Sequence, residues 1–78
     1  MTISEATQKR IIQLCRERNI TINKLATLSG ITQSTLNNII KGNSKTPTLQ
    51  TIVYLCAGFN IDLIEFFDSN LFNELDES

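Results

Sequence analysis

Between Ile22 and Gly42 the chain reads INKLATLSGITQSTLNNIIKG. The spacing of its apolar residues about one glycine leaves little choice of local fold. Ile22, Leu25, Ala26 and Leu28 recur at helical intervals before Gly30, and Ile31, Leu36, Ile39 and Ile40 after it. The stretch is predicted to form two short helices joined by a tight turn. Gly30 stands where the first helix must stop, and a residue without Cβ adopts the positive φ of that position without steric cost. Ala26 is small where the two helices would cross, and Thr32 offers a hydroxyl to cap the second. That second helix, Gln33 to Ile40 or Lys41, carries Gln33, Ser34, Thr35, Asn37 and Asn38 between its apolar positions. They form a face of short, neutral hydrogen-bonding side chains with no charge before Lys41.

The flanking sequence reads as further helices. Thr2 and Glu5 have capping-box spacing and open a helix over about Ile3–Arg18. Ile11, Leu14, Cys15 and Arg18 follow its apolar spacing, with Lys9, Arg10 and Arg16 on other faces. Asn19 is its end signal. Thr21 caps the helix from Ile22 to Ser29. Gly42 closes the Gln33 helix and Pro47 presets the chain ahead of the next. Thr48 caps a fourth helix, Leu49 to Gly58 or Phe59. Its Leu49, Ile52, Val53, Leu55, Cys56 and Phe59 are apolar nearly all round, as expected of a buried central helix. Gly58 marks a close contact or a termination. Asp62 and Glu65 cap a short fifth helix through Phe67, and Asp68-Ser69 can cap a last short one. The expected fold is all-α: a compact five-helix domain over residues 1–68, then an acidic tail or sixth short helix over 69–78, frayed from Glu74 onward. Seventy-eight residues suffice for one small domain whose core is limited.

Charge narrows the function. Net charge is −1, but all seven basic residues lie within residues 1–45, with only Glu5 and Glu17 against them, a local balance of +5. Residues 46–78 hold six acids and no base. A chain so divided presents a positive end to a polyanion, although an ordinary solvated surface has the same composition. There is no His and no CxxC, which excludes the common zinc patterns. No nucleophile–base pair and no metal set occurs, so an enzyme is not expected, nor a cofactor or small-molecule ligand. A Gly-Asn-Ser loop at Gly42 lacks the spacing of a nucleotide cradle. Cys15 and Cys56 fall on apolar helix faces and read as buried free thiols of a reducing cytoplasm, with a functional thiol or disulfide as the other reading. Met1–Arg10 is too polar for a signal peptide, and Ile52–Phe67 is interrupted by Asn60, Asp62 and Glu65, so no membrane role is expected.

The ordered set Leu25-Ala26, Gly30-Ile31-Thr32-Gln33, Leu36, Ile39 and Lys41-Gly42 resembles the helix-turn-helix of the Cro and lambda-repressor-like (XRE-type) regulators of phage and bacteria. Leu14, Ile20-Thr21 and Pro47-Thr48-Leu49 flank it in matching places, so the resemblance covers about residues 8–67. It implies that Gln33–Lys41 is the recognition helix of a sequence-specific DNA-binding regulator, entering the major groove. Gln33, Ser34 and Asn38 are then the first candidates for base contacts, Thr35 and Asn37 the next. Gln and Asn pair with adenine, and no Arg or Lys but Lys24 lies between Asn23 and Lys41, so the implied operator relies on A·T pairs and thymine methyls. Lys41, Asn43 and Lys45 resemble the family's phosphate clamp. Thr21, Asn23 and Lys24 at the start of the second helix, and Lys9 or Arg10 on the first, are further phosphate candidates.

The sequence also departs from its relatives. They often carry Arg at the position of Cys15 and Glu at that of Ile40, as an interhelical ion pair. Losing one partner of a buried pair costs about 3–5 kcal/mol, whereas exchanging both for apolar groups can be neutral. An apolar Cys15–Ile40 contact is therefore expected. Ile22 stands where relatives often place a phosphate-gripping Gln. Finally, Ile61, Leu63, Ile64, Phe67, Leu71 and Phe72 exceed what five helices need. This excess, with the family's habit of pairing through this end, suggests a homodimer on a pseudo-palindromic double-stranded operator; alternatively the tail folds back on its own subunit. With one domain and no visible input for a ligand, the chain resembles a stand-alone Cro-like repressor more than a two-domain one. The competing function is a protein-interaction module on the same fold, an antitoxin- or anti-repressor-like partner, which net acidity and Ile22 favour.

Overall fold

A computed structural model describes residues 1–42 and 46–76. Five α-helices follow one another: α1 (Ile3–Arg18), α2 (Ile22–Ser29), α3 (Gln33–Lys41), α4 (Leu49–Phe59) and α5 (Leu63–Phe67). A single 3-10 turn, Asn70–Asn73, comes last. No strand occurs among the described residues.

Local chemistry sets each boundary. Thr2, Thr21, Thr32, Thr48 and Asp62 are N-caps whose side-chain oxygens accept from the backbone N–H three residues on, and Ser69 does the same for Leu71 at the 3-10 turn. Each such cap is worth about 1 kcal/mol relative to alanine. At Thr2 the box is reciprocal, because the Thr2 amide donates to Glu5 Oε1 at 3.0 Å. That bond, with the one from the Thr2 side chain, holds the Glu5 carboxyl below the ordinary glutamate range. The first four helices end in left-handed residues: Asn19 (φ 55°), Gly30 (71°), Gly42 (72°) and Asn60 (61°). Gly and Asn tolerate this region best, which is why helices stop there.

Phe66, Ile11, Leu14, Leu25, Leu36 and Leu55 are fully buried and form the centre of the core. α2 lies along α4 over the longest shared face. Gly58 permits this approach: a Cβ built on it would overlap Ser29 Oγ and come within 3.1 Å of the Ser29 nitrogen. Of the two roles expected for Gly58, close contact is the one it fills, since α4 continues to Phe59. Cys15 is buried, and Ile40 packs against the same core. Both positions that the resemblance assigns to an ion pair are apolar lining here. Burial raises both thiol pKa values, that of Cys56 further through the charge of Asp62. Neither thiol is bridged.

Three apolar expectations need correction. Leu28, Leu49 and Val53 are exposed, Leu49 by 69%. On α4 the buried residues are Ile52, Leu55, Cys56 and Phe59, a single stripe at i, i+3, i+4 and i+7. Gly58 faces α2 on one side of that stripe. Leu49 and Val53 flank its other side, exposed among the described residues. α4 is apolar on more faces than one subunit buries.

The tail is tied down as far as Asp76. The 3-10 turn packs on α1, and Phe72 lies 4.9 Å from Phe67 and 6.2 Å from Phe66 between ring centroids. The Met1 ammonium donates to the Glu74 carbonyl at 3.0 Å and pairs with the Asp76 carboxylate at 3.1 Å. The Asp76 amide returns a bond to Met1 O at 2.8 Å. Fraying from Glu74 is therefore not what these residues do; Glu77 and Ser78 lie outside the described residues.

Candidate nucleic-acid interface

α3 buries Leu36 and Ile39 and leans Ile40 on the core. The i, i+4, i+7 line opposite them is Ser34, Asn38 and Lys41, all exposed. Gln33 and Thr35 flank that line at the helix start and are exposed too, while Asn37 is half-buried. The expected base-contacting residues therefore share one outward surface. Two threonines there have local duties: Thr32 Oγ1 donates to Thr35 Oγ1 at 2.7 Å and accepts from the Thr35 amide at 3.2 Å.

Helix α2 sets its N-terminus beside this face. Thr21 Oγ1 accepts from the Lys24 amide at 3.0 Å, which leaves the hydroxyl hydrogen free to donate outward. Asn23 and Lys24 are exposed in the first turn. Asn23 Oδ1 accepts a hydrogen bond from Gln33 Nε2, so the two helices are bridged at their starts. The exposed amides and the positive end of the α2 dipole make this corner suited to an anion. Lys41 stands exposed at the other end of α3. Asn43 and Lys45, the rest of the expected phosphate clamp, lie outside the described residues.

Arg10 is a correction. It was expected at a phosphate but is only 7% exposed. Its guanidinium donates from Nε to the Phe66 carbonyl at 2.6 Å, from Nη2 to the Glu65 carbonyl at 2.7 Å and from Nη1 to Gln13 Oε1 at 2.7 Å. The cation satisfies the Phe66 carbonyl and adds a second donor to the Glu65 carbonyl, which also accepts from the Asp68 amide at 3.3 Å, at the end of α5, where the helix dipole also favours positive charge. Arg18 does the same for α4, donating to the Phe59 carbonyl at 3.0 Å with its guanidinium carbon 5.8 Å from the Phe59 ring centroid. Two of the seven cations are thus committed to contacts within the fold, Arg10 buried and Arg18 half-buried. The available signal was position: Ala6, Arg10, Leu14 and Arg18 form one i, i+4 line on α1.

The apolar surface is also redistributed. Of the residues expected at a twofold interface, Ile64 (81% exposed), Leu63 and Phe67 face outward. Ile61 and Phe72 instead pack partly buried on their own core, and Leu71 is half-buried. For these three the fold-back alternative describes the chain. The exposed Leu49, Val53 and Tyr54 on α4 add apolar surface that the sequence reading had assigned to the core or left aside. No helix among the described residues is long and apolar enough to cross a membrane.

Comparisons with known proteins agree with this architecture. The family model described as Cro/C1-type HTH DNA-binding domain matches residues 10–70. The HTH-type transcriptional regulator SlrR of Bacillus subtilis (strain 168) is 38% identical over 61 residues, 77% of this chain and 40% of that protein. The chain therefore spans less than half the length of this curated relative. The crystal structure of the prophage Lp1 protein 11 superposes with a TM-score of 0.83 at 39% identity, covering 96% of this chain and 99% of that one.

Proposed function

The chain belongs to the Cro/C1-type helix-turn-helix DNA-binding family, and from that premise we propose that it is a transcriptional repressor of phage or prophage type, reading its operator with α3. The observation that carries this reading is the uncharged outward face of α3, Gln33, Ser34 and Asn38, with exposed lysines at Lys24 and Lys41 on either side. Neutral amides and hydroxyls discriminate base edges, while the cations hold the strands without regard to sequence. Thr35 and Asn37 serve as further base contacts, and Thr21, Asn23, Lys24, Lys41, Asn43 and Lys45 as phosphate contacts. Gln33 and Asn38 favour adenine. The similarity to a prophage protein and to a transcriptional regulator supports the assignment.

In-vitro selection of bound DNA tests it. Gln33→Ala and Asn38→Ala should each relax preference at one base pair, by roughly 5- to 150-fold in discrimination. Lys41→Gln should weaken all sequences alike and, with two copies per dimer, reduce the slope of log affinity against log salt by about 2. Sequence-independent binding at low salt, or none at all beside tight binding of a protein, would favour the interaction-module reading.

The repressor acts as a homodimer on half-sites about 34 Å apart. Ile64, Leu63 and Phe67 supply the contact, and Leu49, Val53 and Tyr54 extend the apolar surface available to it. An isoleucine as exposed as Ile64 gains about 2 kcal/mol when a partner covers it. Ile64→Asp should shift sedimentation toward the monomer and reduce affinity for a two-half-site operator at least tenfold. Binding to an isolated half-site should be unchanged.

A further inference from the structure

Lys9 and Arg16 are the described basic side chains that neither the fold nor the α3 surface uses. Arg10 and Arg18 donate to backbone carbonyls, and Lys24 and Lys41 flank α3. Lys9 and Arg16 are exposed on α1, and among the described residues no carboxylate lies within ion-pair distance of either. With half-buried Ile12 between them they form one i, i+3, i+7 line. This line is one wall of an open cleft of about 480 Å³ whose apolar lining is Ile12 and Leu71. Through Gln13, Glu17 and Leu71 it adjoins a wider cleft of about 730 Å³, bordered by Asp68, the 3-10 turn and Glu74. No residue of α2 or α3 lines either cleft, and of the α5 surface only Phe67 reaches the edge. One face therefore holds a basic wall, an apolar floor and an acidic wall.

We propose that this face docks a second copy of the chain, each copy laying its Glu74-Leu75-Asp76 segment into the other's cleft between Lys9, Ile12 and Arg16. The cleft fits an apolar residue flanked by anions. Glu74-Leu75-Asp76 is such a segment, and its Leu75 is 36% exposed. Asp76 pairs with the Met1 ammonium through one oxygen and its side chain stays 74% exposed. The segment is in place before docking, since the Met1 ammonium donates to the Glu74 carbonyl and the Asp76 amide to Met1 O. A preordered segment loses little entropy on binding. Glu17, on the Gln13 side of the cleft, repels a carboxylate and so directs the incoming acids toward Lys9 and Arg16. A twofold contact needs a patch that complements itself. Glu74 borders the cleft that adjoins the one lined by Lys9 and Arg16, so both signs lie on one face and each contact is made twice. The contact does not depend on DNA. Its consequence rests on the reading of the chain as a dimer on its operator. The α5 surface then pairs copies within one operator, and this face pairs copies on neighbouring operators. A neighbour on the same DNA has an effective concentration on the order of 1 mM, so a weak contact suffices for cooperative filling.

Charge exchange tests it in the Ile64→Asp background, which removes the contact assigned to α5. At about 1 mM protein and low salt, sedimentation equilibrium should show a reversible dimer that added salt dissociates. Lys9→Glu with Arg16→Glu sets acid against acid, and Glu74→Lys with Asp76→Asn sets base against base. Each pair of changes should weaken association at least about tenfold. An equimolar mixture of the two should regain it, because both reciprocal contacts then join opposite charges. All substituted positions are exposed, so thermal melts should coincide. With Ile64 restored, wild type should fill two adjacent operators cooperatively and each exchange variant independently, at unchanged affinity for a single operator. A monomer throughout, exchange variants that associate like their parent, or a mixture that regains nothing overturns the proposal. So does a reduced salt slope on a single operator, which would make Lys9 and Arg16 phosphate ligands. If single operators are bound but adjacent ones fill independently in wild type, the operator reading stands and pairing between operators is overturned. If association follows the charges and no operator is bound, the contact stands and the DNA-binding reading fails.

Discussion

Arg10→Ala is expected to lower the thermal unfolding midpoint by roughly 12–24 °C. The reason is what the guanidinium holds. Two backbone carbonyls, those of Glu65 and Phe66, accept from it at 2.6–2.7 Å in a site where Arg10 is itself buried. Truncation leaves the Phe66 carbonyl without a donor, at about 1–3 kcal/mol for a buried group that water cannot reach, and leaves the Glu65 carbonyl with only the Asp68 amide at 3.3 Å. Arg10 also lines the open cleft between α1 and the 3-10 turn, and water admitted there offsets part of the loss. A net cost of about 3 kcal/mol is a reasonable centre, and a domain of this size loses 4–8 °C per kcal/mol. Arg10→Lys should recover about half: an ammonium can reach one carbonyl at a time but lacks the planar fork. Arg10→Met keeps the apolar stem and none of the donors, so it should fall near alanine. Differential scanning calorimetry reads all three. The same variants separate a folding role from a DNA role. At temperatures where Arg10→Lys is folded, its salt dependence of operator binding should equal that of wild type. A reduced slope would return Arg10 to the phosphates.

That residue also shows where the sequence is an incomplete guide. The helix boundaries were legible because each depends on chemistry within three or four positions: Thr and Asp caps at the starts, Gly and Asn at the ends. The buried stripe of α1 and the outward line of α3 followed from 3.6-residue periodicity. What escaped depends on distant partners. The carbonyls that Arg10 and Arg18 satisfy lie 41 to 56 residues away, and the i, i+4 line that both share with Ala6 and Leu14 shows that they face inward but not what they meet. A cation on α1 read locally is surface charge; read against the ends of α4 and α5 it is a cap. Phe72 was misplaced for a related reason. An aromatic residue near the chain end has no local signal to say whether its own core or another subunit covers it. Leu49 and Val53 failed differently. A helix apolar nearly all round reads as fully enclosed, but enclosure requires neighbours on every side, and among the described residues none covers that flank. The same surplus of apolar surface that misled the burial assignment is the reason a second copy can be proposed there. The Asn23–Gln33 bond was invisible because its partners are ten residues apart on different helices, although both were singled out separately for DNA contact.

Gly58→Ala is the second large effect, and its sign is decided by a competition. In a helix, Gly to Ala ordinarily stabilises by about 1 kcal/mol, because the backbone loses less entropy on folding. Gly58 is helical, so intrinsic propensity favours the change. Against it stands Ser29, the last residue of α2, on the facing helix. The new Cβ would overlap Ser29 Oγ and sit 3.1 Å from the Ser29 nitrogen and 3.2 Å from its Cβ. Rotating the serine hydroxyl relieves the first of these but not the other two, which belong to the backbone and to the root of the side chain. α2 and α4 must therefore move apart along the face they share most, and overpacking of this kind costs about 1–3 kcal/mol. Sterics should win, with a fall in unfolding midpoint of up to roughly 16 °C after the propensity gain is deducted. Ser29→Ala supplies the control. Ser29 Oγ is buried and has no hydrogen-bond partner among the described residues. Removing it should be neutral or stabilising by up to about 1 kcal/mol, since an unsatisfied buried hydroxyl is lost. Ser29→Ala combined with Gly58→Ala should regain part of the deficit, and the double-mutant cycle should show positive coupling of at least about 0.5 kcal/mol, as contacting residues do. If Gly58→Ala proves as stable as wild type, the helices do not approach as closely as described. If the double variant is merely additive, the deficit arises from the backbone of Ser29 and not from its hydroxyl. Because α2 and α3 together form the proposed DNA-facing unit, any shift of α2 should also appear as weaker operator binding in Gly58→Ala well below its unfolding temperature.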